Sequence, residues 1–207
     1  MKAVITEREI PLTGELRIVL GSIVTPSARE LARERGVEIR ELPAEQVSSA
    51  APPEKTVAIG CDHGGLEMKV ALLPVLGELG LSGRDVGVYE AKAADYPDIA
   101  LAVAELVSTG AAGFGVVIDG AGIGSCMAAN KVPGVRAALC YDVASARNSR
   151  EHNNANVLTL GGRLLTHTQA ETVLRVWLST AFAGGRHAAR VDKITGIERR
   201  FLRRSAE

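Results

Sequence analysis

From Lys55 onward, short apolar runs alternate with longer stretches in which apolar residues recur at helical spacing. Thr56-Val57-Ala58-Ile59-Gly60 reads as a short buried strand. Leu66 to Leu79 reads as a helix with Leu66, Val70, Leu73 and Leu76 on its inner face. Asp85-Val86-Gly87-Val88 is a second strand. The turn Asp95-Tyr96-Pro97-Asp98 feeds a helix from Ile99 to Thr109. Val116-Val117-Ile118 is a third, buried strand, and Val135 to Cys140 a fourth. A helix follows from Ala144 to Asn153, then a fifth strand at Val157 to Leu160. Two further helices run from Thr168 to Thr180 and from Arg190 to Arg204. Strands alternating with helices predict an α/β sandwich: a five-stranded parallel sheet with helices on both faces.

The first 46 residues carry a separate, smaller pattern. Glu15 to Ile23 reads as one strand and Val37 to Leu42 alternates like another. Between them ARELARERG reads as a helix, with Thr25 as cap, Pro26 in the first turn, and Ser27 with Glu30 as a capping box. This β-α-β extension is too short to build a strong core alone. Residues 47–54, VSSAAPPE, are a linker by composition, and residues 55–207 form the main domain.

Composition removes several functions. The 207 residues carry 24 Lys+Arg against 24 Asp+Glu, so binding nucleic acid by bulk charge is excluded. Aromatics at 3% leave no base-stacking platform. No apolar stretch suits a signal peptide or a membrane helix. Cys61, Cys126 and Cys140 are too scattered for a disulfide framework or a metal cluster, so a reduced, cytoplasmic protein is expected. Cys126 and Cys140 read most simply as small core residues.

The chemistry centres on Gly115 to Lys131, GVVIDGAGIGSCMAANK. Asp119 ends the apolar strand, and Gly120, Gly122 and Gly124 follow at alternate positions before a small-residue helix start. Glycines let successive amides turn toward one point, and a helix start adds positive dipole: a pocket for an anion with a carboxylate at its lip. The spacing is not that of a nicotinamide-binding GxGxxG, and no GKS or GKT follows to make a nucleotide loop. Other polar clusters are Cys61-Asp62-His63, His152-Asn153 and Gly161-Gly162-Arg163. With strand ends along one edge of a parallel sheet, these clusters are expected to converge there. Arg186 and Arg190, four apart, share a face if that stretch is helical and suit a phosphate; a solvated basic face is the plainer explanation. His152 alone reads equally as a helix-end residue, and His167 as a surface one. Cys61, Asp62 and His63 are adjacent and cannot all point at one ion, so no metal site is expected.

In order, CDHGG, GAGIG with AANKVPGVRAAL, SREHNNANVL, GGR and GGRHAARVDKI resemble the ribose-5-phosphate isomerase B family, which includes the galactose-6-phosphate isomerase subunits. The resemblance covers about residues 55 to 200. It implies a Rossmann-like fold, a homodimer or homotetramer with active sites shared between subunits, and aldose–ketose isomerisation of a sugar phosphate through a cis-enediolate without cofactor. It places Asp62 and His63 on the sugar and makes His152 the acid that opens the furanose ring, with Asn153 on a hydroxyl. Gly120, Ala121, Gly122, Ile123 and Gly124 supply backbone donors to the enediolate. Arg163, Arg186 and Arg190 hold the phosphate.

The proton-abstracting base does not carry over. One branch of that family has a cysteine at position 119 and the other a glutamate at position 125; here Asp119 and Ser125 stand there, and Ala121 replaces a usual hydroxyl. Asp119 is the first candidate base and Cys126 the second. The third reading is a sugar-phosphate binder or scaffold without turnover, and an epimerase, an Asp-dependent hydrolase or an isomerase of another sugar phosphate are further ones. IVTPSARELARERGVEI resembles a segment of enzymes of bacterial microcompartments, such as the ethanolamine-utilisation adenosyltransferase. That implies an interaction module for shell or enzyme partners, and a location inside such a compartment; a docked extension that steadies the oligomer is the alternative.

Overall fold

The structure, a computed structural model, describes residues 4–7, 10, 15–43, 55–90 and 92–204. The chain divides into two compact units, Met1–Pro52 and Pro53–Glu207. The expected linker, residues 47–54, lies outside the described residues.

The small unit holds two parallel strand pairs. β1 (Val4–Ile5) pairs with β3 (Ile23–Val24), and β2 (Glu15–Val19) pairs with β4 (Glu38–Leu42). The run read as one strand from Glu15 to Ile23 is therefore two strands in different sheets. The chain turns at Leu20–Ser22, where the Ser22 amide donates back to the Val19 carbonyl at 2.9 Å. Helix α1 (Pro26–Glu34) starts as its sequence dictates: Thr25 Oγ1 accepts from the Ala28 amide at 3.2 Å, and Pro26 takes the first turn. The expected Ser27–Glu30 capping box does not form, because Thr25 holds the cap position and Ser27 lies within the first turn. Ile10, Ile18, Val24, Ala28, Ala32 and Val37 close a small core.

The large unit is a five-stranded, all-parallel sheet in the order β6-β5-β7-β9-β8. Its strands are β5 (Thr56–Cys61), β6 (Ser82–Asp85), β7 (Phe114–Asp119), β8 (Ala137–Leu139) and β9 (Val157–Gly161). The crossovers carry α2 (Leu66–Glu78), α3 (Tyr96–Ser108), α4 (Ile123–Ala129) and α5 (Val143–Asn153), followed by α6 (His167–Ser179) and α7 (Ala188–Arg204). Helices α2, α5 and α6 pack as one layer and α3 with α4 as the other. Central strands β5, β7 and β9 are buried almost throughout, as near-continuous apolar runs of a parallel sheet must be.

Two elements depart from their expected pattern. On α2 the buried residues are Met68, Lys69, Leu72, Val75 and Leu76, while Val70 is 60% exposed. The helix is apolar nearly all round, so periodicity alone does not single out its inner face. Lys69 turns inward because Asp85 and the Val88 carbonyl wait for its ammonium, at 2.9 and 2.7 Å. The second strand is Ser82–Asp85 rather than Asp85–Val88. It is an edge strand in which Ser82, Gly83 and Arg84 are exposed and Asp85 turns to Lys69, and the Val86 and Val88 amides still bond Ile59 and Cys61 carbonyls beyond it.

Candidate functional site

Three strand ends meet so closely that side chains have no room between them. A Cβ on Gly162 would stand 2.7 Å from the Gly64 carbonyl oxygen, and one on Gly65 2.5 Å from that of Ile118. The Gly162 amide donates to the Asp119 carbonyl at 2.7 Å and the Arg163 amide to that of Gly120 at 3.1 Å. Asp62, largely buried, folds its carboxylate onto the Gly64 amide at 2.8 Å. The exposed Arg163 side chain lies over this junction: its Nε is 3.4 Å from where a Gly64 Cβ would stand. Asp62, His63, the glycine loop and Arg163 thus share one rim at the carboxyl ends of β5, β7 and β9, where open α/β sheets bind ligands.

Asp119 organises the loop. Its side chain is 4% exposed, and both oxygens are occupied. Oδ1 accepts from the Ala121 amide at 2.8 Å and, at short range, from the Gly122 amide; Oδ2 accepts from the Ser125 amide at 2.9 Å and from the Ser125 hydroxyl. Gly122, at φ +76°, makes the left-handed turn that aims these amides inward. A carboxylate offers about four acceptor positions, and here all are filled. Asp119 in the free protein is therefore an anchor, and it acts as a base only by giving up a partner. The amides of Gly120, Ile123 and Gly124 have no protein acceptor among the described residues, so they are the donors left for a ligand. The Cys126 alternative is corrected: its thiol points to the Ala137 carbonyl at 3.4 Å, at the start of β8 and away from the rim.

Two tyrosines flank the loop, and neither was singled out from sequence. A Cβ on Gly124 would collide with the Tyr96 ring at 2.5 Å, and Tyr141 donates its hydroxyl to the Ala121 carbonyl at 3.2 Å. Asp95-Tyr96-Pro97 is legible as a turn but carries no mark of where its phenol falls. Tyr141 places a hydroxyl beside Ala121, which has none.

His152 and Asn153 do not reach this rim within one chain, which corrects the expected convergence on one edge. Tyr141, just before α5, touches the loop, but α5 then runs back through 11 residues, about 16 Å. Its end joins the opposite edge, where the Asn156 amide bonds the Arg136 carbonyl and Arg136 Nε bonds the Asn154 carbonyl. A parallel crossover must return the chain to the starting edge, so residues that end a crossover helix lie there. A second group forms at that edge. The rings of His152 and His187 stack 4.1 Å apart, within 5° of parallel. Arg186 Nε donates to His187 Nε2 at 3.4 Å. Arg186 lies in a 3-10 turn, Gly185–His187, ahead of α7, so it does not share a regular helical face with Arg190; both side chains are exposed. Buried Arg150 braces this edge through the Thr180 and Ala155 carbonyls, its guanidinium over Phe114 and Trp177.

The three neighbours at the end of β5, Cys61, Asp62 and His63, diverge, which bears on metal binding: His63 is exposed while the Cys61 thiol is buried toward the Val88 carbonyl. Among the described residues no group of three His, Cys, Asp or Glu side chains could hold a metal ion. Burial pushes the Cys61 thiol up to about 11. Its free counterpart in the unfolded chain loses a proton near pH 9, so from there to about pH 11 the unfolded state binds fewer protons and stability falls with rising pH. The loss totals about 2 to 3 kcal/mol. Cys61→Ala is expected to flatten that part of the alkaline melting profile; an unchanged slope would refute it.

A cleft of about 1040 Å³ lies between β8, α5 and α7, with Ala138, Asn148, Ile194, Ile197 and Phe201 among its walls. Ile194, Ile197 and Phe201 are 44%, 60% and 56% exposed along one side of α7.

Against known proteins, residues 57–194 match the model of the Ribose/Galactose Isomerase family. The chain belongs to this family. The family member is 40% identical to ribose-5-phosphate isomerase B of Escherichia coli over 146 residues, covering 70% of this chain and 98% of that one. It is 37% identical to D-erythrulose-4-phosphate isomerase of Pectobacterium atrosepticum, covering 67% and 92%. The Clostridium thermocellum ribose-5-phosphate isomerase B structure superposes with a TM-score of 0.69 at 45% identity, covering 70% of this chain and 99% of that one. The fold is thus the Rossmann-like one, and the protein is an aldose–ketose isomerase by family. The match leaves out the small unit. Among the described residues no helix is long and apolar enough to cross a membrane.

Proposed function

We propose that the protein interconverts an aldose phosphate and its ketose, ribose 5-phosphate and ribulose 5-phosphate first, through a cis-enediolate held on the glycine loop. The observation that carries this reading is the anchored loop, with the Gly120, Ile123 and Gly124 amides free beside Arg163 and Asp62. Removing a proton next to a carbonyl puts negative charge on oxygen, and fixed amides stabilise that charge; one such donor contributes roughly 3 to 4 kcal/mol to the barrier. Asp119 takes the proton once sugar oxygens draw the Ala121 and Gly122 amides away from Oδ1.

The acid half of the reaction comes from a second copy of the chain. His152 donates to the ring oxygen, Asn153 holds a hydroxyl, and Arg186 with Arg190 grips the phosphate together with Arg163. The exposed side of α7 and the edge strand β8 supply the surface on which the copies dock, as a homodimer or a pair of dimers. His63 contacts the sugar from the first copy. The small N-terminal unit serves as an interaction module. Deleting residues 1–46 should leave isomerisation intact but remove binding to microcompartment shell or enzyme partners.

The test is a panel of four-, five- and six-carbon sugar phosphates in deuterated water. Aldose–ketose conversion with deuterium entering at C1 of the ketose and at C2 of the aldose supports the reading. Binding of the phosphates with neither conversion nor exchange would leave a binder or scaffold, and exchange without conversion an epimerase.

A further inference from the structure

The imidazole of His152 is held from two sides. Asn148, one helical turn earlier on α5, places its Nδ2 2.8 Å from His152 Nδ1. A side-chain amide nitrogen only donates, so the His152 Nδ1 in that contact accepts and is bare. The ring face is covered by His187, parallel at 4.1 Å. His187 is itself 7% exposed; its Nε2 accepts from Arg186, which leaves the proton on Nδ1, a buried atom with no hydrogen-bond partner among the described residues. The titratable and charged groups facing His187 are His152, Arg186 and Arg190 against Glu151; burial first, then these neighbours, hold its protonation below the usual histidine range. A neutral ring stacks face to face where two cations would repel.

We propose that Asn148 and His187 are positioning residues that fix His152 in one ring plane and as the Nε2-protonated tautomer. The inference rests on the reading that His152 opens the sugar ring. A neutral imidazole carries its proton on one nitrogen, and the hydrogen bond at the other nitrogen decides which. With Nδ1 occupied by Asn148, the proton sits on Nε2, the nitrogen that has no protein partner among the described residues. The acid therefore meets a closed-ring substrate with its donor already in place, and no tautomer exchange precedes proton transfer. Nε2 gives its proton to the ring oxygen as it takes the one leaving the anomeric hydroxyl, so the imidazole stays neutral and the tautomer is restored each turnover.

Long-range proton–nitrogen correlation spectra of the full-length, nitrogen-15-labelled protein read the tautomer directly, with the His152 signals assigned by their loss in His152→Ala. Wild type is expected to show a bare Nδ1 and a protonated Nε2 in its neutral imidazole. Asn148→Leu removes the donor and should populate both tautomers, with kcat on closed-ring substrate lower by about five-fold and KM unchanged. Asn148→Asp, whose carboxylate accepts, should move the proton to Nδ1. His187→Ala should broaden the His152 signals by releasing the ring plane, and His187→Phe should restore them. A protonated Nδ1 in wild type, or the same tautomer in all three position-148 proteins, overturns the proposal. Wild-type turnover by His152→Ala would instead remove the acid role and leave the tautomer assignment standing, so the two failures are distinct.

Discussion

Asp119→Asn is expected to reduce turnover by roughly 10²- to 10⁴-fold, the usual contribution of a positioned base, and to stop deuterium entering at C2. It also injures the loop. One carboxylate oxygen becomes an amide nitrogen facing donors, either the Ala121 and Gly122 amides or the Ser125 amide and hydroxyl. Hydrogen bonds to a charged group contribute about 1.5 to 3 kcal/mol each, so a loss of about 3 kcal/mol and a melting point lower by roughly 6 to 12 °C follow. The two roles separate by binding. If the Asp119→Asn protein still binds an enediolate-mimicking hydroxamate while exchange is lost, Asp119 is the base. If hydroxamate binding and exchange vanish together, it is only the anchor. Ser125→Ala keeps the carboxylate and removes a single donor, so it should retain exchange. Wild-type turnover in Asp119→Asn would place the base elsewhere.

Ile197→Asp is expected to separate the copies and to abolish isomerisation without unfolding the chain. Ile197 is 60% exposed, so a carboxylate there costs the isolated chain little, whereas in a docked face it buries an unpaired charge. Sedimentation should show the monomer, with circular dichroism unchanged. Complementation tests the shared site from the other side. In a mixture of Asp119→Asn and His152→Ala chains, a heterodimer has one site with both lesions and one with neither. Since an isologous pair exchanges the same surfaces, random pairing should restore roughly a quarter of wild-type activity. No recovery after subunits are shown to exchange would mean that each chain completes its own site.

The architecture of the large unit was legible because its cause is local and repeated. Apolar runs such as Val116-Val117-Ile118 can be buried only in a sheet covered on both faces, and the helices between them make parallel crossovers. Asp119 at a strand end, the alternate glycines and the GGR after β9 all marked the rim. The inner face of α2 was not legible. Its apolar residues surround the helix, and the choice rests on Lys69 finding Asp85, 16 residues away in sequence.

What the sequence determined alone was composition of the site: which chemical groups are present, and the order of strands and loops that deliver them. Tertiary structure decided how those groups are used. Asp119 sits at the expected place, yet four donors from its own loop hold its carboxylate as an anchor in the free protein, so it is free to act as a base only when a partner leaves. Tyr96 and Tyr141 reach the loop only because neighbouring strands bring them there. His152 is placed at the opposite edge because a crossover helix must return the chain to where the next parallel strand begins. Hydrophobic periodicity records burial along the chain, but a hydrogen bond between groups distant in sequence, or a site split across a sheet, depends on geometry that no single segment encodes.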